Sequence, residues 1–295
     1  MSINRPYTAL PAPQGIKRRG TVCLLLSVIA TLLFAGCEKE QGTDRGSLLV
    51  VDGWIDAGGF PVVKLTRTAS FSTNNSISLD SLSEYVDRWA KVSISDGEHT
   101  EIMVGRYDKS HYPPFIYTSY DMRGEVGKTY KLRVETADGL TAEASTTIPA
   151  PTSLKDLHCI QTETDTLFLV YATASEKRSI KLFTQQIGDD NELLSAQLGL
   201  YDAQMIADDG KIAIRRGRKN IEKIDTPFFT LGKKVHIKCA TLDAASFSFW
   251  RSYEDMMSLS RIPLMPMTQN LKSNIGGGLG CWCGYGSTFY EITIK

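Results

Sequence analysis

The stretch TYKLRVETADGLTAEASTTI, residues 129–148, decides the fold class. Tyr130, Leu132 and Val134 alternate with Lys131, Arg133 and Glu135. That period of two puts apolar side chains on one face of a strand and charged ones on the other. Asp138-Gly139 then supplies the turn favoured between antiparallel strands, and Leu140–Ile148 returns. The pattern predicts a half-buried β-hairpin.

The same grammar extends upstream. Ser47–Ala57 is rich in strand formers (Leu48, Leu49, Val50, Val51, Trp54, Ile55), and Gly58-Gly59 breaks it. Pro61–Thr68 alternates Val63 and Leu65 with Lys64 and Thr66, which completes a first hairpin. Ala69 to Glu84 is rich in Ser, Thr and Asn and reads as a long loop. Strands resume at Ala90–Ser95, turn at Asp96-Gly97, and resume at Thr100–Gly105. In His111–Tyr120 the adjacent Pro113 and Pro114 argue against a central strand. That loop gathers Tyr112, Phe115, Tyr117 and Tyr120 and is the candidate contact for a ligand or partner. Pro149-Ala150-Pro151 reads as a stiff linker. Short strands at regular spacing predict an immunoglobulin-like β-sandwich over 47–150.

Residues 151–295 predict a second β-rich domain. Thr166–Ala174, Ser179–Thr184, Lys211–Ile214 and Lys234–Ala240 read as strands, and Asp189-Asp190 and Asp208-Asp209-Gly210 as turns. One helix stands out near 243–258. Asp243 is its expected N-cap, and Phe249, Trp250, Tyr253, Met256 and Met257 form an apolar stripe at helical spacing. Pro263 and Pro266 stop it. Such a stripe docks on a sheet. Gly276, Gly277 and Gly278 predict a bulge ahead of a last strand at Thr288–Ile294, with a ligand-shaping loop as the alternative.

The chain has 295 residues, with 33 basic and 33 acidic side chains. Its start has the order of a secretory signal: Lys17, Arg18 and Arg19, an apolar run from Thr21 to Phe34, then Ala35-Gly36-Cys37. The apolar run falls short of the roughly 20 residues a membrane span needs. A cysteine at the cut after Ala and Gly looks like the lipobox of bacterial lipoproteins. The expected parts are a signal over 1–36, lipidation at Cys37 and a polar tether over 37–46. The four basic residues of the leader (Arg5, Lys17, Arg18, Arg19) face no acidic ones, so the remainder has 29 basic against 33 acidic residues, a formal charge of −4. That balance argues against nucleic acid as a partner.

Cys159, Cys239, Cys281 and Cys283 remain after the tether. An even count in an oxidising compartment permits disulfides, with three connectivities. Cys281 and Cys283 flank Trp282 and share a strand face, so a bond between them is strained. The expected pairing takes one of them to Cys239. Zinc on Cys239, Cys281, Cys283 and His236 fits by ligand type but not by spacing, and no metal site is expected. There is no nucleophile elbow, zinc-protease helix motif, P-loop or dinucleotide fingerprint, so no catalytic residue and no cofactor is assigned. The acidic turns lack the spaced ligands of an EF-hand. Lys211, Arg215, Arg216, Arg218, Lys219 and Lys223 read as a solvated basic hairpin beside Asp208, Asp209 and Glu222. Asp80-Ser81-Leu82 and Asp165-Thr166-Leu167 resemble a bacterial O-glycosylation tripeptide.

The tail from Ser273-Asn274-Ile275 through Gly276-Gly277-Gly278-Leu279-Gly280 to Cys281-Trp282-Cys283-Gly284-Tyr285 resembles the end of the domain-of-unknown-function 4249 family, which is found in lipoproteins of the Bacteroidota. The aromatic helix Phe249–Met257, the opening Leu49–Ile55 with Pro61–Thr68, and the Asp138-Gly139 hairpin ending at Ile148-Pro149 fit the same order. Cys281 and Cys283 depart from a more usual aromatic, and Leu264–Met267 from a Pro-Phe pattern. The resemblance implies a non-catalytic outer-membrane lipoprotein, accessory to a TonB-dependent receptor in ligand capture or assembly, at either face of the membrane. Two alternatives stand beside it: an envelope hydrolase acting on glycan or peptide, and a surface structural or adhesin-like module.

Overall fold

The computed structural model describes residues 47–68, 85–218, 226–259 and 271–295. The signal, Cys37 and the tether lie outside the described residues. So do the loop at 69–84, Lys219, Lys223, and the prolines expected to stop the helix.

The deciding hairpin forms as read. β7 (Thr129–Glu135) pairs antiparallel with β8 (Thr141–Thr147), and Tyr130, Leu132 and Val134 turn inward. Gly139 sits at φ 89° in the turn, where a side chain would be strained. With β3 (Lys91–Ser95) and β4 (Thr100–Ile102) these strands make a small sheet in the order β4-β3-β7-β8.

A second sheet of eight strands runs through the whole described chain. β1 (Leu49–Asp56), β2 (Val62–Arg67), β5 (Val104–Tyr107) and β6 (Phe115–Thr118) come from the first half. β11 (Ile180–Gln186), β12 (Leu194–Tyr201), β15 (Lys234–Leu242) and β16 (Leu279–Thr293) come from the second. The order is β12-β11-β15-β16-β1-β2-β6-β5, and the join is a parallel ladder between β1 and β16. A third sheet holds β9 (Leu154–Gln161), β10 (Leu167–Ala174), β13 (Lys211–Ile214) and β14 (Phe229–Thr230).

Period two assigns the faces. Trp282, Tyr290 and Ile292 are separated by even numbers on β16, so they share a face. Trp282 packs into a core with Val51, Ile55, Val63 and Leu65 against Val92, Ile94, Tyr130 and Leu132. Tyr290 and Ile292 pack with Leu182, Val235, Ile237 and Cys239 against Phe168, Val170, Ile212 and Ile214. Both small sheets therefore stack on one face of the large one. The other face carries Phe183, Leu242, Cys281, Cys283 and Tyr285, and helix α1 (Ala244–Leu259) covers it with Phe249 and Trp250. Among the described residues the fold is mostly β, sandwich-like, with one packed helix, as expected.

Asp243 does cap α1. Its Oδ1 accepts the Ser246 backbone N–H at 2.7 Å, and its Oδ2 accepts the Thr146 hydroxyl at 3.0 Å, which ties the helix start to β8. Other readings change. The last strand begins at Leu279 and not at Thr288, and the first sandwich buries Ile275 and Trp282 from the tail. Residues 115–118 form β6 in the interior of the sheet, because the prolines come to rest just before it. Thr100–Gly105 divides at Met103, which is buried and donates its N–H to the Val92 carbonyl. β4 and β5 on either side of it join different sheets. β9, β12 and β14 were not expected. The Pro149–Pro151 segment lies against Gly286 of β16.

Candidate functional site

The helix-covered face gathers charge where apolar residues alone would do. Asp52, Trp54 and Asp56 alternate on β1, and Lys64 stands opposite Asp52 on β2. Lys181 and Phe183 share that face on β11, with Lys238 opposite Phe183. Three lysines are thus buried or nearly so, each against a carboxylate: Lys64 with Asp52 at 2.7 Å, Lys181 with Glu254 at 2.6 Å, and Lys238 with Asp56 at 2.5 Å. Each ammonium also lies over an aromatic ring, on Trp54, Trp250 and Tyr285 respectively. A buried ammonium without such partners costs several kcal/mol. At Lys181 burial prevails over Glu254 and lowers the pKa. At Lys64 burial also acts downward, but Asp52 and Glu192 outweigh it and the net shift is upward.

At the Lys64 end this band opens into a cleft of about 430 Å³. One wall is the turn after β5. Asp108 holds that turn by accepting the Ser110 hydroxyl at 2.6 Å, the Ser110 N–H at 3.0 Å and Arg106 at 3.0 Å. Those bonds lower its carboxyl to about 2. His111 sits 3.6 Å from Asp108 with its ring centroid 6.0 Å from that of Trp54, and burial lowers its pKa. Lys64 donates to the Tyr112 carbonyl at 3.4 Å. The facing wall carries Asn191, Glu192 and Leu194. Burial pushes the Glu192 carboxyl up, and the Tyr112 backbone N–H bonds to it. A second hollow of about 340 Å³ lies beside α1, lined by Arg215, Arg218, Tyr253 and Glu254.

The four aromatics read as one contact loop separate. Tyr112 is 44% exposed and lines the cleft; Tyr120 is 59% exposed and does not. Phe115 is half-buried against the core. Tyr117 is buried, donates its hydroxyl to the Asp87 carbonyl and accepts the Ala90 N–H. Phe115 and Tyr117 are therefore packing residues. The cleft instead uses Tyr107, His111 and Glu192 beside Tyr112, with Trp54 and Lys64 backing His111 and the Tyr112 carbonyl, and these lay scattered with no local signal to group them.

The disulfide expectation is corrected. Cys159, Cys239, Cys281 and Cys283 are free. Cys239 stands opposite Thr288 and faces the core beneath the third sheet. Cys281 and Cys283 point to the other face, under α1, so the sheet itself separates them from Cys239. Burial lifts the Cys239 thiol to about 12. The Cys281 thiol is raised by its contact with Cys283 and by burial. The basic run is also less solvated than read: Arg216 pairs at 2.8 Å with Asp190, which is buried. Among the described residues no three His, Cys, Asp or Glu side chains gather to hold a metal, and no helix is long and apolar enough to cross a membrane.

A search of curated proteins finds no match. Among solved structures, the FN1–FN3 domains of chicken CNTN1 align over 85% of this chain and 67% of that one, at 12% identity and a TM-score of 0.23. Residues 38–290 match the family described as Domain of unknown function (DUF4249). With nearly all of the sheet, the helix and the glycine-rich tail inside that match, the chain belongs to the DUF4249 family.

Proposed function

We propose that this protein is a non-catalytic, lipid-anchored binding protein of the bacterial outer membrane that assists a TonB-dependent receptor in ligand capture. The observation that carries the capture role is the open cleft between the turn at 107–114 and the segment 191–194, set on a continuous sheet. Its volume lies in the range of small-molecule sites. The address rests on separate support: the basic, apolar and Ala-Gly-Cys order ending at Cys37. Several acyl chains on that cysteine make a durable anchor, because each buried CH₂ contributes about 0.8 kcal/mol. Confinement beside a receptor raises local concentration and lets a modest contact suffice.

The test is a crosslinked pull-down from membranes of cells expressing the full chain. The reading expects a TonB-dependent receptor among the captured proteins. It expects Cys37→Ser to move the protein out of the membrane fraction and lose that capture. Tyr107→Ala with Tyr112→Ala should weaken capture while the far-ultraviolet circular dichroism stays unchanged. A Cys37→Ser protein that still sediments with outer membranes, or capture without any receptor, overturns the proposal.

A further inference from the structure

The cleft has a charge arrangement that selects among ligands. Asp52 is engaged by Lys64 at 2.7 Å. Asp108 is engaged by Ser110, Arg106 and His111. Glu192 differs from both. Among the described residues its bonded partner is the backbone N–H of Tyr112, and no basic side chain stands within 4.0 Å of it. It is half-buried in a wall whose neighbours are Leu194, Tyr112 and Pro114, so its ionised form is poorly solvated. His111 faces Asp108 at 3.6 Å, and burial lowers its pKa, which disfavours its charged form. Lys109 also lines the cleft, but its side chain reaches solvent. Lys64 acts on Glu192 without contacting it and is already engaged by Asp52, so behind the cleft two carboxylates share one ammonium.

Resting on the capture reading above, we infer that the cleft binds a primary ammonium carried on an apolar, aromatic body, with the ammonium on Glu192 and the body between Tyr107, Tyr112 and Leu194. A charge-assisted bond to a desolvated carboxylate is about twice as strong as a neutral one. Tyrosine faces add attraction for the same cation. The volume of about 430 Å³ holds a ligand the size of an aromatic amine or the first residues of a peptide. A free amine and a peptide amino terminus share this chemistry.

The experiment titrates the full chain in detergent by calorimetry. The first pair of probes is 2-phenylethylammonium and its neutral isostere 2-phenylethanol. The second is phenylalanyl-alanine amide with a free amino terminus and the same peptide N-acetylated. The expected result is at least about tenfold tighter binding of the charged member of a pair. Preference in the first pair alone marks a free amine, and preference in the peptide pair marks an amino terminus. Glu192→Gln should abolish the preference and leave weak binding of the neutral form; Glu192→Asp should retain part of it. Equal binding of charged and neutral probes, or a preference that survives Glu192→Gln, overturns the ammonium assignment but leaves capture standing. If 3-phenylpropionate binds tightest, the ammonium assignment falls in the same way. If no probe gives a saturable signal, the ammonium assignment falls and the capture role is judged by the membrane pull-down alone.

Discussion

Single residues in the tail govern how closely backbones approach. Gly280 adopts φ 108°, a conformation that side chains avoid, and a Cβ there would overlap the Val51 carbonyl oxygen in the parallel ladder. Gly286 likewise makes room for the Pro149 carbonyl, and Gly284 for the backbone at Thr147. The tail is thus glycine-rich because three layers of main chain meet along it. Gly280→Ala combines a strained φ with overpacking, each of which costs about 1–3 kcal/mol. A loss of about 2–6 kcal/mol in urea denaturation is expected. Gly58→Ala is the control. Gly58 also has positive φ, at 76°, but nothing lies near its absent side chain, so about 1 kcal/mol is expected there. Equal losses at the two sites would mean that the Val51 contact is unimportant. Residue-scale reading also sorts the aromatics. Tyr117 and Tyr112 look alike in sequence, yet one satisfies two backbone groups in the core and the other lines an open cleft.

At the scale of elements, the helix is where local chemistry and tertiary packing agree. Asp243 accepts the Ser246 N–H as an N-cap should, and the same carboxylate reaches Thr146 and Thr147 of β8. Replacing it removes a cap worth about 1 kcal/mol and leaves the buried Thr146 hydroxyl short of a partner. Asp243→Ala should therefore lower stability by about 2–3 kcal/mol, and Asp243→Asn by clearly less, because an amide oxygen still caps. Chemical denaturation followed by tryptophan fluorescence checks both. If alanine and asparagine cost the same, the carboxylate is not a cap. The helix was legible to within a residue at its start because cap and stripe are both local signals. The 129–148 hairpin was legible for the same reason. β16 was not. Its glycines carry the mark of a breaker, and only the opposing backbones of β1 and β8 turn them into a strand interior. β6 was hidden by Pro113 and Pro114, which precede it and so remove no ladder bond from it. The cleft was half legible. Tyr112 was picked out by its aromatic surroundings, whereas Glu192 meets it only through the join between the two halves.

At the scale of the molecule, that join has a thermodynamic consequence. The linker at Pro149–Pro151 marks a change of core, since residues up to Ile148 belong mainly to one hydrophobic cluster and those from Leu154 to another. Yet β16 lies in the middle of the shared sheet. It donates Trp282 to the first core and Tyr290 and Ile292 to the second, and pairs with β1 along one edge and β15 along the other. Trp282 has no exposed surface, and its indole N–H donates to the Tyr130 carbonyl at 3.0 Å inside the first sandwich. A fragment ending at Ala150 would lack that side chain and the parallel partner of β1. Removing a buried tryptophan alone costs about 3–5 kcal/mol, a large share of the roughly 5–15 kcal/mol that holds an ordinary domain together. The fragment 47–150 should therefore be unfolded by circular dichroism and by amide exchange. The whole chain should melt as one cooperative unit, with its calorimetric and van't Hoff enthalpies equal. Two resolved transitions, one of them reproduced by the isolated 47–150 fragment, would show that the sandwich stands without the tail. In that event β16 would be an accessory strand laid against a finished domain, and the cleft between the halves would be free to change width without unfolding either.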